Sequence, residues 1–303
     1  QIIPGIEPID QSHISDFDGE AAVVTTRYCY EHYRQPPDFK KNIPIIDFYG
    51  PTDCLIPNAQ YITSDNEMIG RIAAKEFLHC GLPNIAYFGS SLKYYFSLLR
   101  YQGILKITEP LNMAVSYLGF TFAEYQRTWT DQKFKQQLSE QIRAWLEQLP
   151  KPVGVLLSTD RFFHYILPHC RELGLRIPQD ISFIGVNNNL DCCTLSEISL
   201  SSIDTNRYQI GWRIGELLDA IIQGKQKNRH EEFIEPKEIV IRESSSYTAT
   251  NDELVASGLD YIKSNIRENL SVKEISNALN VSRSNLDKRF KKSLGITAGK
   301  AID

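Results

Sequence analysis

The chain of 303 residues exceeds one average domain. Its 42% apolar and 11% aromatic content is enough for a substantial core, and two units or more are expected. The net charge of −4 argues, taken whole, against a nucleic-acid binder, but the balance is uneven: Ser282 to Lys300 carries six basic residues against one acidic. Cys29, Cys54, Cys80, Cys170, Cys192 and Cys193 form no CxxC pair, against a disulfide scaffold or zinc site, and no apolar run approaches the roughly 18 residues of a membrane span. No cofactor and no membrane partner are expected, and a reducing, cytoplasmic setting fits.

Gln1 to Ser15 is mixed, and the first predicted strands are Ala21–Thr26 and Ile43–Phe48. Tyr61–Asn66, a helix from Glu67 to Cys80 stopped by Gly81, and Ile85–Gly89 form a strand-helix-strand unit. The strands are apolar throughout, as in a parallel sheet buried on both faces. A helix around Lys93 to Ile107, a strand near Met113 to Leu118 and a long amphipathic helix ending at Pro150 follow. Then come Val153–Leu157, a helix from Arg161 to Leu173 with Pro168 inside it, and Ile181–Val186. Ile198–Ile203, a helix Arg207–Gln223 and a last strand Phe233–Ile241 complete an α/β alternation.

Beyond Arg242 the composition changes to Ser244-Ser245-Ser246-Tyr247-Thr248-Ala249-Thr250, which reads as a linker. Ser271 with Glu274 has the form of a capping box, and Ile275, Ala278 and Leu279 give one apolar face. Asn280-Val281 interrupts the pattern, and Ser282 caps a second helix whose Leu286 and Phe290 face inward. Two short helices about a tight turn, the second basic, form a helix-turn-helix suited to the DNA major groove.

In open parallel sheets ligands sit at the carboxyl ends of strands. The polar groups there are Asp65 and Asn66, Ser90 and Ser91, Thr159 and Asp160, and Asn187 to Asn189, with Arg100 close behind. Short hydrogen-bonding groups with one Arg suit a small polyol or sugar, whose hydroxyls must each find a partner on leaving water. An enzyme has little support: GxxxxGK[ST], GxGxxG and GxSxG are absent, and no histidine set serves a nucleophile.

Asp65-Asn66, Gly81–Gly89, Arg100-Tyr101-Gln102-Gly103, Ser158-Thr159-Asp160, Ile177–Asn188, Leu200–Asp204 and Ile239–Ser245, in this order, resemble the effector domain of the lactose-repressor/galactose-repressor and periplasmic sugar-binding-protein superfamily. Leu259–Ile262, Ser271–Leu279 and Val281–Thr297 are similar to the first half of an arabinose-regulator-type (AraC/XylS) DNA-binding domain. The resemblance implies a two-lobed periplasmic-binding-protein-like α/β domain over 1–245 with a small all-α domain behind it. Lobe N would hold about 1–89 and 204–228, and lobe C about 90–203 and 229–245. Residues 246–252 would link them to a partial helix-turn-helix domain at 253–303.

It further implies a sugar-responsive, non-enzymatic transcription regulator, a homodimer on double-stranded promoter DNA. Its effector would be a small sugar, a pentose such as xylose first and another sugar or sugar derivative second. Asp65, Arg100, Asp160 and Asn187 are the candidate ligand contacts, although Asp65 and Asp160 equally suit helix caps. Arg283, Ser284, Asp287, Lys288 and Arg289 are the candidate DNA contacts. Asn187 stands where many sugar binders have Asp, Thr205 where Gln is common and Thr159 where Asn is common. Members of these families have further elements before the position of Gln1 and after Asp303, so the chain is expected to be truncated at both ends.

Overall fold

The computed structural model describes residues 22–24, 44–48, 59–226, 230–246, 252–265, 270–294 and 296–302. The readings of Gln1 to Ser15 and of most of the 246–252 linker lie outside the described residues. The described residues divide into two compact units, one running through Ser246 and one holding the C-terminal helices.

The first unit contains two sheets. β1 (Ala22–Val24), β2 (Ile45–Asp47), β3 (Gln60–Ser64) and β9 (Glu231–Ile234) form a parallel sheet in the order β1-β2-β3-β9. The second sheet has the order β10-β8-β7-β6-β4-β5. Its strands are β4 (Asn84–Ser90), β5 (Val115–Phe120), β6 (Val153–Leu157), β7 (Ile181–Val186), β8 (Ser201–Ile203) and β10 (Ile239–Val240). All run parallel except β10.

β6 and β7 are buried at every residue because helices cover both faces of this sheet, which is why they read as unbroken apolar runs. Phe88, Val155, Phe163, Ile166 and Phe183 form their core, while Ile46, Ile62, Ile210, Leu217 and Ile234 form that of the first sheet. Each such side chain contributes roughly 1.5–3 kcal/mol by leaving water.

The α-helices among the described residues of this unit are α1 (Asn66–His79), α2 (Tyr95–Thr108), α3 (Phe122–Thr130), α4 (Gln132–Gln148), α5 (Phe162–Glu172), α6 (Leu190–Thr194) and α7 (Arg207–Ile222). The long helix expected to end at Pro150 is α4, and the shorter α3 precedes it. Asp131 terminates α3 and caps α4, its Oδ1 accepting the Phe134 N–H at 3.0 Å. α5 runs through Pro168, which shares an exposed face with His164, so the carbonyl left without a donor can turn to water.

Three expectations about the two lobes are corrected. β4, expected in the first lobe, sits inside the second sheet, in register with both β5 and β6. The strand expected over Phe233–Ile241 is two strands in different sheets, β9 beside β3 and β10 beside β8, separated by a stretch containing Pro236, which has no N–H for a ladder. Glu231–Ile234 therefore belong with the first sheet, not the second. Among the described strands the chain passes between sheets before β4, after β8 and before β10.

The second unit contains α8 (Glu253–Ser264), α9 (Val272–Ala278) and α10 (Arg283–Leu294). Val255, Ile262, Ile275, Leu286, Phe290 and Ala298 form its core. A Cβ at Gly258 would stand 2.9 Å from the Phe290 ring, so α8 and α10 approach to a distance that only glycine allows.

Candidate functional site

A cavity of about 410 Å³ opens at the carboxyl ends of β2, β3 and β7. Thr63, Ser64, Asn66, Arg100, Asn187, Thr205 and Arg207 give it polar walls, and Phe48, Phe96, Ile210 and Ile214 give it apolar ones. Ser64, Asn66 and Thr205 are buried, as is Arg100, whose exposure is 5%. The mixture matches a sugar, which offers hydroxyls on its rim and C–H groups on its faces.

Arg100 is held on several sides. Its Nε donates to Asn66 Oδ1 at 2.9 Å, an Nη donates to the Ser158 carbonyl, and its guanidinium lies 5.0 Å from the centre of the Phe96 ring. Asn66 Nδ2 donates in turn to the Ser64 carbonyl at 3.0 Å. The crossing of α1 and α2 permits this reach. A Cβ at Gly103 would overlap the Glu67 carbonyl oxygen and stand 3.0 Å from both Arg71 N and Gly70 Cα. Two glycines let the helices touch backbone to backbone, and the contact sets the position of Arg100.

Of the four predicted ligand contacts, Arg100 and Asn187 line this cavity, and Asp65 and Asp160 do not. Asp65 is the α1 cap, its Oδ1 accepting the Met68 N–H at 2.8 Å, and its neighbour Asn66 faces the cavity instead. Asp160 is 1% exposed, and its carboxylate accepts from Ser202 Oγ at 2.6 Å and from the Asn189 N–H at 2.8 Å. Burial pushes that carboxyl up to about 6, against the opposing pull of those hydrogen bonds. Phe96 and Arg207 were missed. Arg207 opens α7 four residues beyond β8, and its place at a strand's carboxyl end was the available signal. Thr159 lines a separate aromatic cavity of about 50 Å³, with Tyr94, Phe120 and Phe162 among its walls. Among the described residues no group of His, Cys, Asp and Glu could hold a metal ion.

In the C-terminal unit the capping box is formed: Ser271 Oγ accepts the Glu274 N–H at 3.3 Å, and Glu274 Oε2 accepts the Ser271 N–H at 2.7 Å. The Ser271 hydroxyl, which donates to Glu274 Oε2 at 2.8 Å, and then the Ser271 N–H hold the Glu274 carboxyl below its ordinary range. Asn280 makes the turn in a left-handed conformation, φ 53°, and the Val281 N–H donates to the Ser276 carbonyl at 2.9 Å. Ser282 Oγ accepts the Asn285 N–H at 3.3 Å and so starts α10.

The five predicted DNA contacts separate on this helix. Leu286 and Phe290 are fully buried, while Ser284 and Lys288 are exposed on the opposite side together with Lys291 and Lys292. Asp287 is directed elsewhere, its Oδ1 accepting the Ala298 N–H at 3.0 Å. Arg289 Nε lies 2.7 Å from Asp252 Oδ2, the cap of α8, and Arg283 Nε lies 3.8 Å from Asp287. Counting 100° per residue from Leu286 and Phe290 would have placed Lys288 outward and Asp287 and Arg289 on the flanks.

Residues 74–245, more than half of the chain, match the family described as periplasmic binding protein-like domain. Residues 262–302 match the bacterial regulatory helix-turn-helix proteins of the AraC family. The chain is 27% identical over 80% of its length to the xylose operon regulatory protein of Escherichia coli (strain K12), the match covering 60% of that protein. It is 25% identical over 84% of its length to the protein of the same name from Haemophilus influenzae, covering 63% of it. The chain thus spans a little over three fifths of these curated relatives at most. Its fold is similar to that of a solved xylose-binding transcription activator, with a TM-score of 0.64 and 23% identity over 87% of this chain and 68% of that one. It is also similar to a periplasmic binding protein/LacI transcriptional regulator from Alkaliphilus metalliredigens complexed with D-xylulofuranose. There the TM-score is 0.57 with 21% identity, over 78% of this chain and 79% of that one.

Proposed function

From the premise that this chain belongs to the periplasmic binding protein-like family, we propose that it is a sugar-responsive transcription regulator that binds its effector in the cavity beside Arg100 and promoter DNA through α10. One observation carries the reading: a cavity of about 410 Å³ with convergent Ser, Thr, Asn and Arg side chains occurs in the same chain as an AraC-family helix-turn-helix. Xylose is the first effector proposed, because the relatives named above carry it in their names. A sugar derivative bearing a negative charge is the second, favoured by the two guanidinium groups of Arg100 and Arg207 on the lining.

Lys288 and Ser284, at the centre of the exposed face of α10, are the proposed base-edge contacts, with Lys291 and Lys292 on phosphates. A homodimer in the cytoplasm, reading two half-sites, is part of the same proposal. The test is a thermal-shift and calorimetric panel of xylose, arabinose, ribose, xylonate and xylose 5-phosphate, followed by promoter binding at several salt concentrations with and without the sugar that binds. A stabilising shift with one sugar, and DNA binding that changes with it, is expected. No shift with any of the five sinks the effector reading.

A further inference from the structure

Asp160 binds no part of the cavity, yet its surroundings are built for a carboxylate. A Cβ at Gly185 on β7 would collide with Asp160 Oδ1 and stand 2.8 Å from a Leu200 methyl, so a side chain there would evict the carboxylate. The Asp160 N–H donates to the Val186 carbonyl at 3.1 Å, which ties the residue to the end of β7. Immediately beyond that end, Asn187 and Asn188 have φ values of 106° and 48°. Two consecutive residues with positive φ and side chains need outside support, and for Asn187 the value lies well beyond the ordinary left-handed basin.

The support is visible. Asn187 N–H donates to the Ile203 carbonyl at 2.9 Å, and the Asn188 N–H donates to Ser202 Oγ at 2.9 Å, whose own hydroxyl donates to Asp160. The Asn189 N–H donates directly to Asp160 Oδ2. Arg242 braces the outer side, one Nη donating to Asn188 Oδ1 at 2.8 Å and the other to the Leu200 carbonyl at 2.8 Å. Two successive backbone amides of the loop therefore end on Asp160, one directly and one through Ser202. Asn187, the residue just before them, lines the cavity.

We propose that Asp160 is a positioning residue, which clamps the Asn187–Asn189 loop through Ser202 and the Asn189 amide and so sets Asn187 against the bound sugar. The inference rests on the sugar reading of the cavity and adds to it the residue that presents one of its walls. The ionised form of Asp160 is the one that clamps, since a carboxylate accepts both hydrogen bonds with charge assistance. A protonated carboxyl would turn one oxygen into a donor toward Ser202, whose hydroxyl would have to swing away. The groups that face this carboxyl are Arg207 on α7, which attracts it, and Cys193 and Cys192 on α6. Arg242 lies one contact further out, on Asn188. The Cys193 thiol is pushed up to about 12 by burial and stays neutral, so it does not compete for the proton. With the Asp160 carboxyl near 6, the clamp loosens as the pH falls below neutrality.

The test uses the full chain, its Asp160→Asn and Ser202→Ala variants, calorimetric titration with D-xylose from pH 5 to pH 8, and the amide proton of Asn189 followed by NMR. Asp160→Asn keeps the shape and removes the charge; Ser202→Ala keeps the charge and removes the bridge to Asn188. The expected result is a wild-type affinity about tenfold weaker at pH 5 than at pH 7.5, a variant Asp160→Asn about tenfold weaker at pH 7.5 with a flat profile, and a weakened Ser202→Ala that stays pH-dependent with its profile displaced to higher pH, since the hydroxyl that pulls the carboxyl down is gone. The Asn189 amide should titrate in the wild type and not in Asp160→Asn. A folded Asp160→Asn that binds xylose with the wild-type affinity and pH profile overturns the proposal, as does an Asn189 amide indifferent to pH in the wild type. Failure of the wild type to bind xylose counts against xylose as the effector instead, and the amide titration then decides the clamp alone.

Discussion

The crossing of α1 and α2 gives the sharpest prediction, through Gly103→Ala. The added Cβ meets three atoms, the Glu67 carbonyl oxygen, Arg71 N and Gly70 Cα, and all three are backbone. No rotamer change can make room, so the helices must separate. Overpacking of this kind costs about 1–3 kcal/mol and belongs at the upper end here, because rigid helices yield less than side chains. At roughly 2–4 °C per kcal/mol for a unit of this size, the melting temperature should fall by about 6–12 °C. Arg100 and Phe96 ride on α2, so the displacement also draws Arg100 from Asn66 and weakens sugar binding. Gly215→Ala is the internal control: Gly215 lies inside α7 with nothing within 4 Å of its Cβ position, and the substitution should stabilise by roughly 0.5–1 kcal/mol through backbone propensity. Circular-dichroism melts of both variants decide the matter. A Gly103→Ala protein melting within about 2 °C of the wild type would show that the crossing is not tight, and the account of how Arg100 is placed would go with it.

Arg100→Met should abolish detectable sugar binding and cost about 1–3 kcal/mol of stability, since Asn66 Oδ1 and the Ser158 carbonyl lose a donor in a buried place; chemical denaturation and calorimetry report the two effects separately. Ser271→Ala should destabilise the C-terminal unit by about 1 kcal/mol and speed hydrogen exchange at the first turn of α9. Lys288→Glu should abolish specific promoter binding, whereas Arg289→Ala, which removes a partner of Asp252, should loosen α8 and leave the salt dependence of DNA binding nearly unchanged; a Lys288→Ala protein that discriminates promoter from non-specific DNA as well as the wild type does would contradict the base-edge role of Lys288. Asp160 also sets a pH dependence of stability. Its carboxyl stands near 6 in the folded chain against about 3.9 unfolded, so the native state holds more protons between those values. The contribution is therefore greatest at low pH and is lost as pH rises toward about 6, by about 3 kcal/mol in all. The difference in unfolding free energy between the wild type and Asp160→Asn, measured from pH 4 to pH 7.5, should change by that order in favour of the variant; a constant difference would contradict it.

What was legible in the sequence depended on distance along the chain. β6 and β7 could be read to the residue, because an apolar run bounded by polar turns is a local pattern. The Ser271–Glu274 box and the Leu286–Phe290 face were legible for the same reason, since three- and four-residue spacings decide them. The sheet to which β4 and β9 belong was not. A strand buried on both faces carries no mark of its neighbour, and β9 pairs with a strand about 170 residues earlier.

The site divides along the same line. Asn187 and Asp160 read alike, as polar residues just past the end of a buried strand. Their roles differ because Asp160 finds Ser202 and Asn189 at 42 and 29 residues' separation and the space left by Gly185, while Asn187 finds the cavity. Asp287 repeats the pattern: its place on α10 suggests a base contact, and the Ala298 amide eleven residues on takes its carboxylate instead. In each case an acidic side chain that looks free in one dimension is engaged in three, because a carboxylate leaving water must be matched by donors, and backbone amides of the next loop are the donors at hand. Asn66, Asn187, Ser64 and Thr205, whose neutral amides and hydroxyls carry a smaller desolvation penalty, are the uncharged polar residues that line the cavity. A sugar that binds there would meet neutral donors and acceptors and two guanidinium groups, with the carboxylate of Asp160 acting one layer behind them.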